Sequence, residues 1–189
     1  NRWRLMIERV LENSGPHRIG VVGAGAGGIE LLLAIQYRLT NVLAERKKEF
    51  KGLEFHLISK SKNILPNFNH SVRQRFERLL KKRKVHIHYA AEAEKVAVGS
   101  ITAADGKIIE LDEILWATAA GAPHWLRKSG LDVDNGGFIQ VHDTLQSISN
   151  PEVFAAGDIA TVIRHPRPKA GIFAVRQGPV LAQNIRRLC

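Results

Sequence analysis

At 189 residues, with 44% hydrophobic content and a formal net charge of +10, the chain has the length for one large or two small domains and enough apolar content for a buried core. Its apolar runs are broken by charge or glycine before bilayer length, and no signal-like segment precedes the first strand, so an intracellular, cytoplasmic protein is expected. Cys189 is the single cysteine, which excludes an internal disulfide, a redox C-x-x-C pair and a cysteine zinc site within this chain.

In chain order, Trp3 to Leu11 carries apolar residues at helical spacing and predicts a short lead-in helix ending at Asn13-Ser14-Gly15-Pro16. Arg18 to Val22 predicts a strand that runs directly into Gly23-Ala24-Gly25-Ala26-Gly27-Gly28, a match to G-x-G-x-x-G. Each glycine has its own task. Gly23 allows a sharp turn, Gly25 allows the backbone to approach a pyrophosphate, and Gly28 allows the following helix to pack closely. That helix, expected from about Gly28 to Leu39, directs unpaired N–H groups and its positive dipole end at the anion. A diphosphate nucleotide held by Gly23, Gly25, Ala26 and Gly28 is the natural ligand; the alternative is a glycine-rich turn that binds nothing. The strand before it and the apolar helix after it favour binding.

Arg46 to Lys51 is a charged connection, Leu53 to Ile58 a second strand, and Pro66 to Asn69 a helix start followed by Val72, Phe76, Leu79 and Leu80 at helical spacing. Val85 to Tyr89 is the third strand. The alternation of strand and helix predicts an α/β fold, a Rossmann-like parallel sheet wrapped by helices. His86 and His88 would share one face of the third strand, but no carboxylate or cysteine ligand follows in register, so no metal is expected. The basic residues concentrate in Arg46-Lys47-Lys48 and Arg73 to Lys84 without interleaved aromatics. Both are read as solvated helix faces rather than as a nucleic-acid surface, with binding through Arg73 to Lys84 kept as a lesser alternative.

Val96 to Leu111, turning at Ala104-Asp105-Gly106, predicts a small antiparallel meander, and Glu113 to Thr118 a further buried strand. Gly121-Ala122-Pro123 breaks the pattern and marks a boundary between residues 1–120 and 121–189. Beyond it come a short strand at Phe138 to Val141, a turn at Ser149-Asn150-Pro151, and an apolar strand at Val153 to Ala156 ending at Gly157-Asp158. In open α/β sheets ligands bind beyond the carboxyl ends of strands, so Asp158 stands where a sugar or polyol hydroxyl could be held; locally, capping the next turn is an equal account. A helix from Ile172 to Leu188, introduced by Pro168-Lys169-Ala170-Gly171, would bring its N-terminus to the same crevice and tips the reading toward a ligand.

Four stretches, Gly23 to Glu30 (GAGAGGIE), Glu113 to Thr118 (EILWAT), Leu145 to Asp158 (LQSISNPEVFAAGD) and Lys169 to Leu181 (KAGIFAVRQGPVL), resemble successive motifs of the flavin-dependent pyridine nucleotide-disulfide oxidoreductase superfamily. The resemblance runs from about Pro16 onward. It is strongest to members without an obvious redox disulfide, such as type II NADH dehydrogenases, sulfide:quinone reductases and the oxidoreductase regions fused to selenide water dikinases. It implies an NAD(P)-binding insert, residues 1–120, followed by the returning half of an FAD-binding domain, residues 121–189, and hence a piece of a longer protein.

The resemblance also implies roles. Gly23, Gly25, Ala26 and Gly28 would hold NAD(P)H, with Glu30 near the nicotinamide; Gly157 and Asp158 would contact the FAD pyrophosphate and ribityl chain; and the helix beginning at Gly171 and Ile172 would point towards the flavin pyrimidine ring. A hydride would pass from NAD(P)H to FAD, and electrons on to a small-molecule acceptor such as a quinone or disulfide. No catalytic acid, base or thiol is identified. The remaining FAD-domain segments of the full-length protein would be partners, and any peripheral membrane contact would come only through them. The chain departs from the family pattern twice. Ala117-Thr118-Ala119 stands where A-T-G is common, and Ser59, followed by Lys60, Ser61 and Lys62, replaces the acid expected after the second strand. Loss of that acid removes repulsion of a 2′-phosphate, so Ser59 and Lys60 become candidates for accepting NADP, against the plainer account of solvated lysines. The alternative function is a nucleotide-sensing binding module without turnover.

Overall fold

The strand before the glycine turn forms as β1 (His17–Val22), buried everywhere but at Arg18. The structure, a computed structural model, describes residues 2–12, 16–46, 52–118 and 120–188. Asn13, Ser14, Gly15, Lys47, Lys48, Lys51, Ala119 and Cys189 lie outside the described residues. Two compact units result, Asn1–Thr118 and Ala119–Cys189.

In the first unit α1 (Arg2–Glu12) leads into β1, and the glycine turn into α2 (Ala26–Glu45). Then follow β2 (Leu53–Ile58), α3 (His70–Lys82), β3 (Val85–His88), the meander β4 (Ala93–Ala97), β5 (Ser100–Ala103) and β6 (Ile108–Glu110), and finally β7 (Glu113–Trp116). Strands pair in the order β3-β2-β1-β7, all parallel, while β4, β5 and β6 form a separate antiparallel sheet. Both faces of the parallel sheet are covered, as its near-continuous apolar strands require. On one face Ile19, Val21, Phe55 and Leu57 pack with Met6 of α1, Ile29, Leu32 and Leu39 of α2 and Leu80 of α3. On the other, Val22 and Ile58 pack with Ile101, Ala103, Ile109 and Leu111.

β2 has its predicted bounds, and α3 starts where Asn69 accepts a hydrogen bond from the Val72 N–H at 3.0 Å. α2 runs past the predicted Leu39 because Leu43 packs with Val10 and Leu11 of α1. β4 begins at Ala93, ahead of the predicted Val96, and its pairing with β5 shifts register between Ala93 and Lys95.

In the second unit β8 (Ile139–Val141) and β9 (Ala160–Val162) pair in parallel, and α4 (Gly171–Leu188) follows. Their core is Leu126, Ile139, Val141, Leu145, Ala155 and Ala160. The predicted strand at Val153 to Ala156 does not form. Its ladder is one bridge, Gln146 to Phe154, with the Ala155 N–H donating to the Leu145 carbonyl at 3.0 Å, because the parallel edge of β8 is taken by Ala160–Val162. Among the described residues no helix is long and apolar enough to cross a membrane.

Candidate functional site

The carboxyl ends of the four parallel strands lie at one edge of the sheet, and β1 is where the order reverses: the chain continues from it to β2 on one side, while β7 lies on the other. Such a switch point leaves a crevice for a ligand. The glycine turn fills its mouth. Gly23 adopts φ +118°, and a Cβ there would lie 2.3 Å from the Ala117 carbonyl oxygen, so neither conformation nor space admits a side chain. Its N–H donates to the Ile58 carbonyl at 2.9 Å, tying the turn to the end of β2. Gly28 is excluded from substitution differently. Its Cβ would meet the Gly23 carbonyl oxygen at 1.8 Å, so α2 starts in direct backbone contact with the turn.

Gly25 contrasts with both. A Cβ there would meet no protein atom within 4 Å, and its φ of −77° suits any residue, so nothing inside the protein demands glycine at this position. It is the N-cap of α2, with no side-chain cap and no acidic residue in the first turn. The N–H groups of Ala26, Gly27 and Gly28 precede the first i−4 acceptor, and Ile29 is the first to bond back, to the Gly25 carbonyl at 3.1 Å. Exposed glycine backbone plus an uncapped helix N-terminus fits an anionic diphosphate. Glu30 is exposed one turn further on.

The loop after β2 closes the other side. Leu65, fully buried at φ +49°, donates its N–H to the Ala24 carbonyl at 2.8 Å. Ser59 is 3% exposed, and its hydroxyl is directed to the Ser61 and Asn63 carbonyls at 3.0 and 3.3 Å. It organises the loop rather than facing outward. Lys60 faces solvent and pairs with Glu92 at 2.5 Å. Glu92, 32 residues away, had no signal in the sequence to mark it.

His56 lies between His86 and His88 of the adjoining strand and completes a stack of three rings. Ring centroids lie 5.0 and 5.2 Å apart, and His56 Nδ1 is 2.9 Å from His88 Nε2. Burial and the neighbouring His56 push His88 down to about 4, and burial together with His86 lowers His56 against the opposing Glu54 carboxylate. His56 and His88 therefore stand neutral at pH 7. Among the described residues no group of His, Cys, Asp or Glu could hold a metal ion.

In the second unit Gly157 adopts φ +72° and opens a 3-10 turn, Gly157–Ile159, so Asp158 lies on the turn into β9 and not at the end of a strand, as the sequence had suggested. Asp158 is exposed, and its carboxylate accepts no hydrogen bond among the described residues. Contacts not evident from sequence tie α4 to this turn and the segment before α4 to β9. Gln177 Oε1 accepts the Gly157 N–H at 2.6 Å, and Lys169 Nζ donates to the Ala160 carbonyl at 2.6 Å and to Thr161 at 2.9 Å, beneath the Phe138 ring at 4.1 Å. Burial lowers the Lys169 pKa, against Asp134 and Asp158, which favour its charge. Gly171 and Ile172 are exposed at the start of α4.

The family model for pyridine nucleotide-disulphide oxidoreductases matches residues 7–178. An NADH oxidase of Methanocaldococcus jannaschii is 27% identical over 95% of the chain and 39% of its own length. A type II NADH:quinone oxidoreductase of Haemophilus influenzae is 24% identical over 77% of the chain and 34% of its own. The water-forming NADH oxidase from Lactobacillus brevis, solved with NADH bound, superposes with a TM-score of 0.72 at 25% identity, covering 96% of the chain and 39% of that structure. The chain thus spans well under half the length of these relatives.

Proposed function

The chain belongs to the pyridine nucleotide-disulphide oxidoreductase family, and we propose that residues 1–120 bind NAD(P)H and residues 121–189 form the returning half of an FAD-binding domain. The activity proposed for the whole protein is NAD(P)H oxidation. NAD(P)H, when bound, supplies a hydride, and FAD relays its electrons to a small-molecule acceptor such as a quinone or a disulfide. The chain's own residues bind and orient. Gly23 and Gly28 shape the turn, Gly25 and Ala26 present backbone N–H groups to the diphosphate, and Glu30 sits one turn along α2 towards the nicotinamide. Gly157 and Asp158 would hold the FAD pyrophosphate and ribityl chain, and the N-terminus of α4 at Gly171 and Ile172 would face the flavin pyrimidine ring. Support for the second assignment comes from α4, which has no buried residue and leaves Ile172, Val175 and Ile185 exposed, as a helix that packs on further protein would.

The observation that carries the reading is the uncapped first turn of α2 behind an exposed Gly25. Titration of the purified chain with NADH and NADPH, followed by nucleotide fluorescence, is expected to show saturable binding that ADP-ribose and inorganic pyrophosphate compete away and adenosine does not. Absence of binding, or competition by adenosine alone, would overturn the diphosphate site.

A further inference from the structure

We propose that Glu92 is a specificity-determining residue of this site, pairing with Lys60 at the carboxyl end of β2 and so opposing a ribose 2′-phosphate. The inference rests on the reading of the glycine turn as a pyridine-nucleotide site. The Lys60–Glu92 pair is pre-positioned by backbone. The Ser59 N–H donates to the His88 carbonyl at 2.9 Å, the Ala91 N–H to Ser59 at 2.8 Å and the Ala90 N–H to Ser61 at 3.1 Å, lacing the loop after β2 to the loop after β3. Ala90 holds φ +52°, a conformation a non-glycine residue adopts only when its surroundings impose it, and the Ala104 N–H fixes the Glu92 carbonyl at 2.8 Å. Both side chains of the pair are solvated, at 72% and 52% exposure, so it adds little to stability and its geometry is free to serve recognition.

Ser59 cannot perform this task, because its hydroxyl is turned into its own loop. The lost acid of β2 is therefore replaced in charge, though not in place, by a carboxylate from the next loop. A 2′-hydroxyl can donate to a carboxylate, whereas a 2′-phosphate must draw Lys60 from Glu92 and then sits beside a free negative charge. Lys62, on the same loop, forms no ion pair among the described residues.

Affinities for NADH and NADPH, measured at low salt and at about 0.5 M salt, test this in the wild-type chain, Glu92→Gln, Lys60→Ala and the double variant. Glu92→Gln is expected to tighten NADPH by about tenfold, while NADH, whose 2′-hydroxyl can donate to the glutamine oxygen as to the carboxylate, stays within about twofold. The gain should shrink in high salt and vanish in the double variant. An unchanged NADPH-to-NADH ratio in Glu92→Gln, with both nucleotides still bound, would overturn the role of Glu92 and leave the site standing. A gain that persists in the double variant would overturn it too, since Lys60 would not be the group released. Binding of neither nucleotide to the wild type would remove the site and the inference together.

Discussion

Gly25 and Gly28 separate a glycine kept for a ligand from one kept for the fold. Valine at Gly25 would project into open space at an ordinary φ, so Gly25→Val is expected to leave the melting temperature within about 2 °C while weakening NAD(P)H at least about tenfold. Valine at Gly28 would strike the Gly23 carbonyl, which is backbone and cannot swing aside, so Gly28→Val is expected to cost about 3 kcal/mol or more in urea unfolding. Equal affinity loss without a stability difference would mean that both glycines act through the ligand. The histidines make a separate prediction. Burial, with His56 adjacent, lowers His88 to about 4 from 6.5, and burial lowers His17 despite Asp112 and Glu113, so between about pH 4 and 6.5 the unfolded chain binds more protons than the folded one. Stability is then fully present above pH 6.5 and falls as pH drops towards 4. A melting temperature that declines over that window in wild type, and less steeply in His88→Gln, is expected; parallel profiles would assign the slope elsewhere.

At the scale of elements, α3 depends on one side chain for its start. Asn69 Oδ1 accepts from the Val72 N–H and from the Ser71 hydroxyl, at 3.0 and 2.9 Å, so Asn69→Ala is expected to lower unfolding free energy by about 1 kcal/mol with nucleotide affinity unchanged. Caps of this kind are local, and so is the period of an apolar strand, which is why β2, the start of α3 and the alternation of strand and helix through β3 were legible from residues alone. Elements decided by distant partners were not. The end of α2 is set by Leu43 against α1, and Ala160–Val162 wins the edge of β8 over the more apolar Val153 to Ala156. The site divides in the same way. Gly23 to Gly28 is contiguous and readable, while Lys60 with Glu92, and Gly157 with Gln177, are joined across 32 and 20 residues by chain reversals that no local pattern encodes.

For the whole molecule, the two units carry separate cores and the chain has a single G-x-G-x-x-G turn, which sits in the first of them. If that turn serves NAD(P)H, the ADP half of FAD has no glycine cradle here, and only Gly157, Asp158 and the N-terminus of α4 are left to hold the flavin. Backbone N–H groups around a diphosphate supply much of a dinucleotide's affinity, so the purified chain is expected to bind NAD(P)H and yet be colourless. Absorbance near the flavin bands, referred to protein concentration, measures this directly. A yellow preparation with one flavin per chain would reverse the assignment of the two halves and give the Gly23 turn to FAD. In a flavin-containing longer form of the protein, Asp158→Ala is expected to lower flavin occupancy through loss of the carboxylate's contact with the flavin and not through the fold, because among the described residues this exposed carboxylate accepts no hydrogen bond. Unchanged occupancy there would show that the carboxylate does not reach the flavin, and that the hold on it comes from the backbone of Gly157 and the start of α4.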